Sequence, residues 1–110
     1  MKRLSIIHTE ASLGWGGQEI RILTEAQGMI VRGHRVLLAC PQDARIYTEA
    51  ARFNVPVEAL PLGRKRPEGV LALRRFLKAY AFDVINTHSS TDAWLAALAC
   101  VGRRKAPAIV

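Results

Sequence analysis

The sequence predicts an α/β domain built on an open, mostly parallel, doubly wound sheet with helices on both faces. Four short apolar runs of strand type each precede a segment of helical periodicity, and this alternation is typical of parallel sheets. The connections are short, which favours right-handed crossovers between neighbouring strands. Because ligands of such sheets bind beyond the carboxyl ends of the strands, functional residues are expected in the strand-to-helix turns.

The composition restricts the class of protein. The 110 residues make one domain at most, and the hydrophobic half of them excludes a disordered tail. With 16 Lys and Arg against 9 Asp and Glu, the net charge of +7 favours an anionic partner, whether nucleic acid, a phosphorylated metabolite or an acidic membrane surface. Cys40 and Cys100 lack zinc-type spacing and are expected to be reduced core residues. No run approaches the roughly 20 apolar residues that span a bilayer, so a cytoplasmic protein, with or without peripheral membrane contact, is expected.

A first buried strand is expected at residues 4–8, followed by a glycine-rich turn and a helix at residues 18–32. Gly33 should stop this helix, and Gly28 within it predicts close packing against a strand. The face expected to be buried carries Ile20, Leu23, Gln27 and Ile30, with Ala26 and Met29 beside them.

The turn Gly14-Trp15-Gly16-Gly17 suits a phosphate or diphosphate. The first N–H groups of a helix lack partners and carry partial positive charge, and glycines allow positive φ and close approach of an anion. The turn fits neither GxGxxG nor a P-loop, which argues against a dinucleotide dehydrogenase and a Walker-type ATPase. A purely structural bend is an equal alternative.

The middle of the chain continues the alternation. Strands are expected at residues 36–40 and 57–60, with a helix capped by Asp43 and running to Arg52 between them. The basic loop 61–67 follows, and Pro67 then suits the first turn of a helix. The apolar stripe expected on that helix is Val70, Leu73, Leu77 and Tyr80.

A fourth strand at residues 82–87 leads into the polar run 88–92, where Ser90 or Thr91 is expected to cap the next helix. Residues 108–110 resemble the start of a fifth strand. The side of the last helix expected to be buried carries Trp94, Leu95, Leu98 and Val101.

His88 is the strongest catalytic candidate, because it follows a buried strand and precedes a hydroxyl-rich cap. A loop histidine bonded to local backbone is the alternative. His8 is expected in or beside the core and His34 at a helix end. Glu10 and Glu19 could form a carboxylate pair, although the helix dipole alone explains Glu19.

Two basic groups, residues 64–66 and 103–105, are either solvated or in contact with an anionic lipid surface or a charged saccharide. Nucleic acid is disfavoured, because no exposed aromatics are interleaved with these groups. Trp15 is the exception among the aromatics: it is either an exposed platform for a sugar ring or acyl chain, or a packing residue. Ser89 lies in no GxSxG elbow, which leaves a serine hydrolase unsupported.

The joint order of four motifs resembles the N-terminal domain of glycosyltransferase family 4, the retaining nucleotide-sugar enzymes of GT-B architecture with Rossmann-like sheets. The motifs are the first strand ending in His8, the helix entry Gly16-Gly17-x-Glu19, the passage Arg32-Gly33-His34-x-Val36, and Asp83-Val84-Ile85-Asn86-Thr87-His88-Ser89. The resemblance is closest to bacterial members that act on cell-surface saccharides or lipid-linked acceptors.

The resemblance implies that Gly16 and Gly17 approach the donor diphosphate and that His88 lies by the transferred sugar. It implies weaker, acceptor-side roles for Trp15, Ser89 and Asp92. Catalysis without a bound metal or other cofactor is expected, since helix dipoles and donors can stabilise the leaving diphosphate.

The same resemblance implies that residues 1–110 are one partial N-terminal domain, without the donor-binding domain. The isolated chain is therefore expected to be inactive, and its open sheet edge to favour self-association. A non-catalytic flavodoxin-like ligand-binding or interaction module is the alternative function.

Overall fold

The computed structural model describes residues 3–103 and 106–110. Its strands are β1 (Ser5–Thr9), β2 (Arg35–Cys40), β3 (Val57–Ala59), β4 (Val84–Asn86) and β5 (Ala108–Ile109). Its helices are α1 (Gly17–Val31), α2 (Arg45–Glu49), which continues as a 3₁₀ turn (Ala50–Phe53), α3 (Pro67–Ala79) and α4 (Ser90–Ala99). The predicted alternation of strands and helices is confirmed.

The five strands form one parallel sheet in the order β3-β2-β1-β4-β5. The strand order reverses beside β1, because the chain runs outward through β2 and β3 and then returns to place β4 on the other side. The carboxyl ends of β1 and β4 therefore adjoin at the switch point of a doubly wound sheet. We call this place the carboxyl edge.

Two apolar clusters cover the two faces of the sheet, because alternate residues of each strand point to opposite sides. Ile6 of β1 packs with Ile22 and Leu23 of α1 and with Ile46 of α2. Its neighbour Ile7 packs with Leu73 of α3 and Leu95 of α4. The consequence at the carboxyl edge is that His8 shares the α1 face of the sheet, whereas Thr9 faces α4.

The buried faces of two helices differ from the sequence expectation. In α1 the buried residues are Glu19, Ile22, Leu23 and Ala26, and Ile20 is exposed. In α4 they are Asp92, Leu95, Ala96 and Ala99, whereas Trp94, Leu98 and Val101 are exposed. Each helix is thus rotated so that an acidic residue of its first turn is buried near the carboxyl edge.

Several local expectations were wrong. Ala44, not Asp43, precedes α2, and no side chain caps that helix. Ser89, rather than Ser90 or Thr91, caps α4 by accepting a hydrogen bond from the Asp92 N–H. A Cβ at Gly28 would meet no atom within 4 Å, so this glycine makes no close packing contact. Gly33 does stop α1, with φ of 95°, and Tyr80 is exposed rather than part of the buried stripe of α3.

Cys40 is buried and free, and Cys100 is free and half-buried. Burial, reinforced by the nearby Glu10 carboxylate, raises the pKa of the Cys40 thiol to about 12. The thiol therefore stays protonated and behaves as an apolar core group. Arg104 and Lys105 of the second basic group lie outside the described residues. Within residues 3–103 and 106–110, none of the helices is long and apolar enough to cross a membrane.

Candidate active site at the carboxyl edge

Two turns meet at the carboxyl edge. The β1–α1 turn comprises residues 10–16, and the β4–α4 turn comprises residues 87–89. The Gln18 side-chain amide joins them, since its Nε2 donates to the Glu10 carboxylate at 2.8 Å and to the His88 carbonyl at 3.3 Å. This bridge holds the two turns together at one edge of the sheet.

The Glu10 side chain stabilises the β1–α1 turn through hydrogen bonds to its backbone. The residue is fully buried, and its carboxylate accepts hydrogen bonds from the backbone N–H groups of Ala11 and Ser12 at 2.9 and 3.2 Å. Further along the turn, the Leu13 carbonyl accepts from the N–H of Arg45. Buried carboxylates need such partners to offset their desolvation. The sequence indicates Glu10 only as half of a possible carboxylate pair with Glu19, and no sequence pattern indicates this structural role.

The start of α1 is open. Gly16 precedes the helix, and no side chain caps it. In the described part of the chain, the backbone N–H groups of Gly17, Gln18 and Glu19 have no hydrogen-bond partner. These are the unpaired donors that bind anions at helix N-termini.

The glycines of this turn do not serve the backbone conformation that the sequence suggested. Among the described residues, only Gly33, Gly102 and Asn54 have positive φ. Gly16 has φ of −168°, which any residue adopts, and a Cβ at Gly16 or Gly17 would meet no protein atom within 4 Å. The fold therefore requires glycine at neither position, and the space beside both is open.

The β4–α4 turn is held much more tightly. Asp92 is fully buried, and its carboxylate accepts from the Thr9 hydroxyl at 2.7 Å and from the His88 backbone N–H at 2.9 Å. The Ser89 hydroxyl donates to the same carboxylate. Asp92 thus fixes the strand-to-helix passage. Its predicted contact with an acceptor stays a prediction, which the burial of the carboxylate does not support.

His88 belongs to the β4–α4 turn and is half-buried. Its ring Nε2 is 3.0 Å from Nδ1 of His8, which is only 2 % exposed. Burial and the neighbouring His88 lower the pKa of His8 to about 4. Burial also lowers the pKa of His88, and the carboxylates of Glu10, Asp92 and Glu25 oppose this effect. Both rings are therefore neutral at pH 7.

The remaining candidates lie apart from this pair. Trp15 is half-buried, packs against the core beside α1, and has the Arg45 guanidinium 5.8 Å from its ring centre. His34 is buried at the end of α1, where its Nδ1 accepts from the Leu4 N–H. Within the described residues, no three His, Cys, Asp or Glu side chains are grouped in a way that could hold a metal ion.

The chain as a whole is similar to known proteins. A family model described as Glycosyltransferase Family 4 matches residues 15–110, which is most of the chain. The chain belongs to glycosyltransferase family 4. No match is found among proteins of curated function.

Solved structures of other proteins share this fold. A glycosyltransferase from Rickettsia africae has a TM-score of 0.79 and 18 % identity over 99 % of this chain. Anabaena HepE in complex with UDP-glucose has a TM-score of 0.71 and 18 % identity over 89 %. HepE in complex with UDP and glucose has a TM-score of 0.70 and 19 % identity over 89 % of this chain. This chain spans 29 %, 26 % and 27 % of the respective proteins.

Proposed function

We propose that this chain is the acceptor-side portion of a retaining glycosyltransferase, which transfers a sugar from a nucleotide-sugar donor to a saccharide or lipid-linked acceptor in bacterial cell-surface glycan synthesis. The observation that carries the proposal is the Gln18 bridge between Glu10 and the His88 carbonyl. It holds an uncapped helix start and a neutral histidine at one edge of the sheet. Such an edge can meet a diphosphate and a sugar together.

The donor diphosphate is assigned to Gly16 and Gly17. The three unpaired N–H groups at the start of α1 supply donors and the positive end of the helix dipole. These donors would stabilise charge that builds on the departing diphosphate without requiring a metal. The support is the empty space around both glycines.

His88 is assigned a place beside the transferred sugar as the catalytic residue. A neutral imidazole there can accept a hydrogen bond from a sugar hydroxyl or donate one to an oxygen. Trp15 and Ser89 remain the acceptor-side proposals, together with the less supported Asp92. Ser89 is half-buried, and its hydroxyl is engaged with Asp92.

The nucleotide itself is expected to bind mainly outside this chain. The structural neighbour HepE was solved in complex with UDP-glucose, and this chain spans 26 % of that protein. The proposal therefore includes a further, donor-binding domain in the complete enzyme, and inactivity of the isolated 110-residue chain. The same proposal has three further parts. The protein is located in the cytoplasm, its basic loop 64–66 contacts an anionic inner membrane face, and it self-associates through the exposed strand β5.

Transfer can be tested with two proteins: the 110-residue chain, and the product of the reading frame that continues past Val110. We expect the longer protein to transfer sugar from one of a panel of UDP- and GDP-sugars, and the short chain to show no turnover. His88→Ala in the longer protein should reduce the rate strongly. A reading frame with no second domain would instead favour a non-catalytic binding module. Turnover by the short chain would contradict the proposal that transfer requires a further, donor-binding domain.

A further inference from the structure

His8 and His88 meet end to end in one plane. Their planes differ by 8°, their ring centres are 5.2 Å apart, and the distance from Nδ1 of His8 to Nε2 of His88 is 3.0 Å. The centre-to-centre separation is nearly the N···N distance plus the two ring radii. The rings therefore do not lie face over face, and an N–H···N hydrogen bond joins them.

His8 and His88 are 80 residues apart in the sequence, so the fold brings their rings together. His8 is fixed within β1 on the α1 face of the sheet. The backbone of His88 is held on both sides, because its N–H donates to Asp92 at 2.9 Å and its carbonyl accepts from Gln18 at 3.3 Å. The contact between the rings is thus a consequence of the rigid carboxyl edge.

A neutral imidazole has one N–H and one lone pair, so one ring must donate and the other accept. The charged groups that influence His88 are the carboxylates of Glu10, of Asp92 on α4 and of Glu25 on α1, and the guanidinium of Arg21 on α1. Three negative groups against one positive group favour positive charge on His88. His8 is more deeply buried, and its pKa of about 4 makes it a poor site for a proton.

A proton added to the pair therefore resides on His88, which then carries hydrogen on both nitrogens and must be the donor to His8. When the pair loses that proton from Nδ1 of His88, the Nε2–H of His88 remains, so the neutral pair keeps the same donor and the same acceptor. We propose that His8 is the positioning residue of His88: Nδ1 of His8 accepts the Nε2–H of His88 and leaves Nδ1 of His88 as the nitrogen that meets a ligand.

This inference deepens the proposed function and rests on it for the role of His88. With Nε2 bound to His8, the orientation and tautomer of the His88 ring are fixed before substrate arrives. Nδ1 then accepts a hydrogen bond when the ring is neutral, and donates one after taking up a proton. The bond to His8 persists in both states, so ring orientation is independent of protonation.

The hydrogen bond can be observed directly in the 110-residue chain, labelled with ¹⁵N in its histidines. We expect an N–N scalar coupling across the bond, a protonated-type Nε2 and a lone-pair Nδ1 in His88, and a lone-pair Nδ1 in His8. His34 is an internal reference, since its Nδ1 accepts from the Leu4 N–H at 3.0 Å. A protonated Nδ1 in His88 or in His8, or absence of the coupling, would overturn the proposal without any measurement of transfer.

Two variants separate positioning from packing. Asn at position 8 keeps a polar acceptor near the place of Nδ1, whereas Leu removes it. We expect His8→Leu to give His88 a mixture of tautomers, and His8→Asn to retain the single tautomer. In the longer, active protein, His8→Leu should lower kcat about tenfold with little change in KM, and His8→Asn should recover most of the loss. Equal tautomer populations in both variants would contradict a positioning role.

Discussion

The β1–α1 turn and the β4–α4 turn lie side by side at the carboxyl edge, but the protein uses its polar groups differently in each. In the first, the buried Glu10 carboxylate accepts hydrogen bonds from the turn backbone. Three N–H groups at the helix start have no partner among the described residues, and a Cβ at either of the two glycines there would meet no described protein atom within 4 Å. In the second, Ser89 caps the helix, and the Asp92 carboxylate accepts hydrogen bonds from Thr9, His88 and Ser89. The first turn offers backbone to a ligand, and the second presents one side chain, His88.

The largest effect should come from removing the buried carboxylate of the second turn. Asp92→Ala leaves the Thr9 hydroxyl and the His88 N–H without their partner, and we expect a loss of about 3 kcal/mol in unfolding free energy. The exposed Asp43→Ala is the matched control and should change it by less than about 0.5 kcal/mol. Urea unfolding at pH 7 measures both. Equal midpoints would show that Asp92 does not hold the turn.

Acidification should lower the unfolding free energy, because both histidine rings are buried in the folded protein. Burial lowers the folded-state pKa of both His8 and His88, so the unfolded chain binds more protons below its own histidine pKa of about 6.5. Unfolding free energy should therefore be fully retained above that pH. It should decrease as pH falls from 6.5 towards 4, with His8 contributing up to about 1.4 kcal/mol per pH unit and His88 adding a loss of the same sign.

Between pH 6.5 and 5, where few carboxylates titrate, His8→Asn should show a flatter dependence of unfolding free energy on pH than the unaltered chain. Urea midpoints measured at intervals across this range are sufficient. An unaltered chain whose midpoint does not change there would mean that the rings are not buried as the structure has them.

The helix cap distinguishes the two turns at a smaller scale. Ser89→Ala should cost about 1 kcal/mol, because the Asp92 N–H loses its side-chain acceptor. Ser90→Ala, one residue further and exposed, should change little. If the two variants exchanged these effects in thermal unfolding, the cap that sequence analysis expected at Ser90 would be the correct one.

The open turn should tolerate a methyl group. Gly17→Ala is expected to raise the unfolding free energy by about 0.5 kcal/mol, because alanine favours helix and its Cβ meets no atom within 4 Å. Gly28→Ala, in the same helix and equally unobstructed, is the control for helix propensity alone. Destabilisation by Gly17→Ala but not by Gly28→Ala would mean that the protein itself needs glycine at the turn.

The sequence was sufficient for the order of strands and helices, because short apolar runs and glycine or proline boundaries are local signals. It was insufficient for the helix faces, since Ile20 and Trp94 looked apolar enough to be buried while Glu19 and Asp92 are buried instead. Burial of those carboxyl groups depends on the sheet edge that faces them. A polar run, His8-Thr9-Glu10, at the end of an otherwise apolar strand was the available signal.

The candidate site was predictable only in part. His88 and the glycines could be named from strand-to-helix turns, and the Gln18 bridge supports their placement at one edge. The partnership of His8 with His88 joins residues 80 positions apart, and no local pattern encodes it. From the sequence, a structural bend and an anion site were equal explanations of Gly16. The φ of −168° shows only that the backbone conformation there does not need glycine.

The central claim is that the β1–α1 turn is open because a substrate anion occupies it. The most direct test is sugar transfer by the product of the reading frame that continues past Val110, with Gly16→Val compared with Gly28→Val. A Cβ at either position would meet no protein atom within 4 Å, so neither substitution is expected to clash with the fold, and urea unfolding of both variants checks that they are folded. We predict that Gly16→Val lowers kcat/KM at least about tenfold, equivalent to 1.4 kcal/mol or more, and that Gly28→Val stays near the unaltered rate. Equal rates in the two variants would contradict the claim.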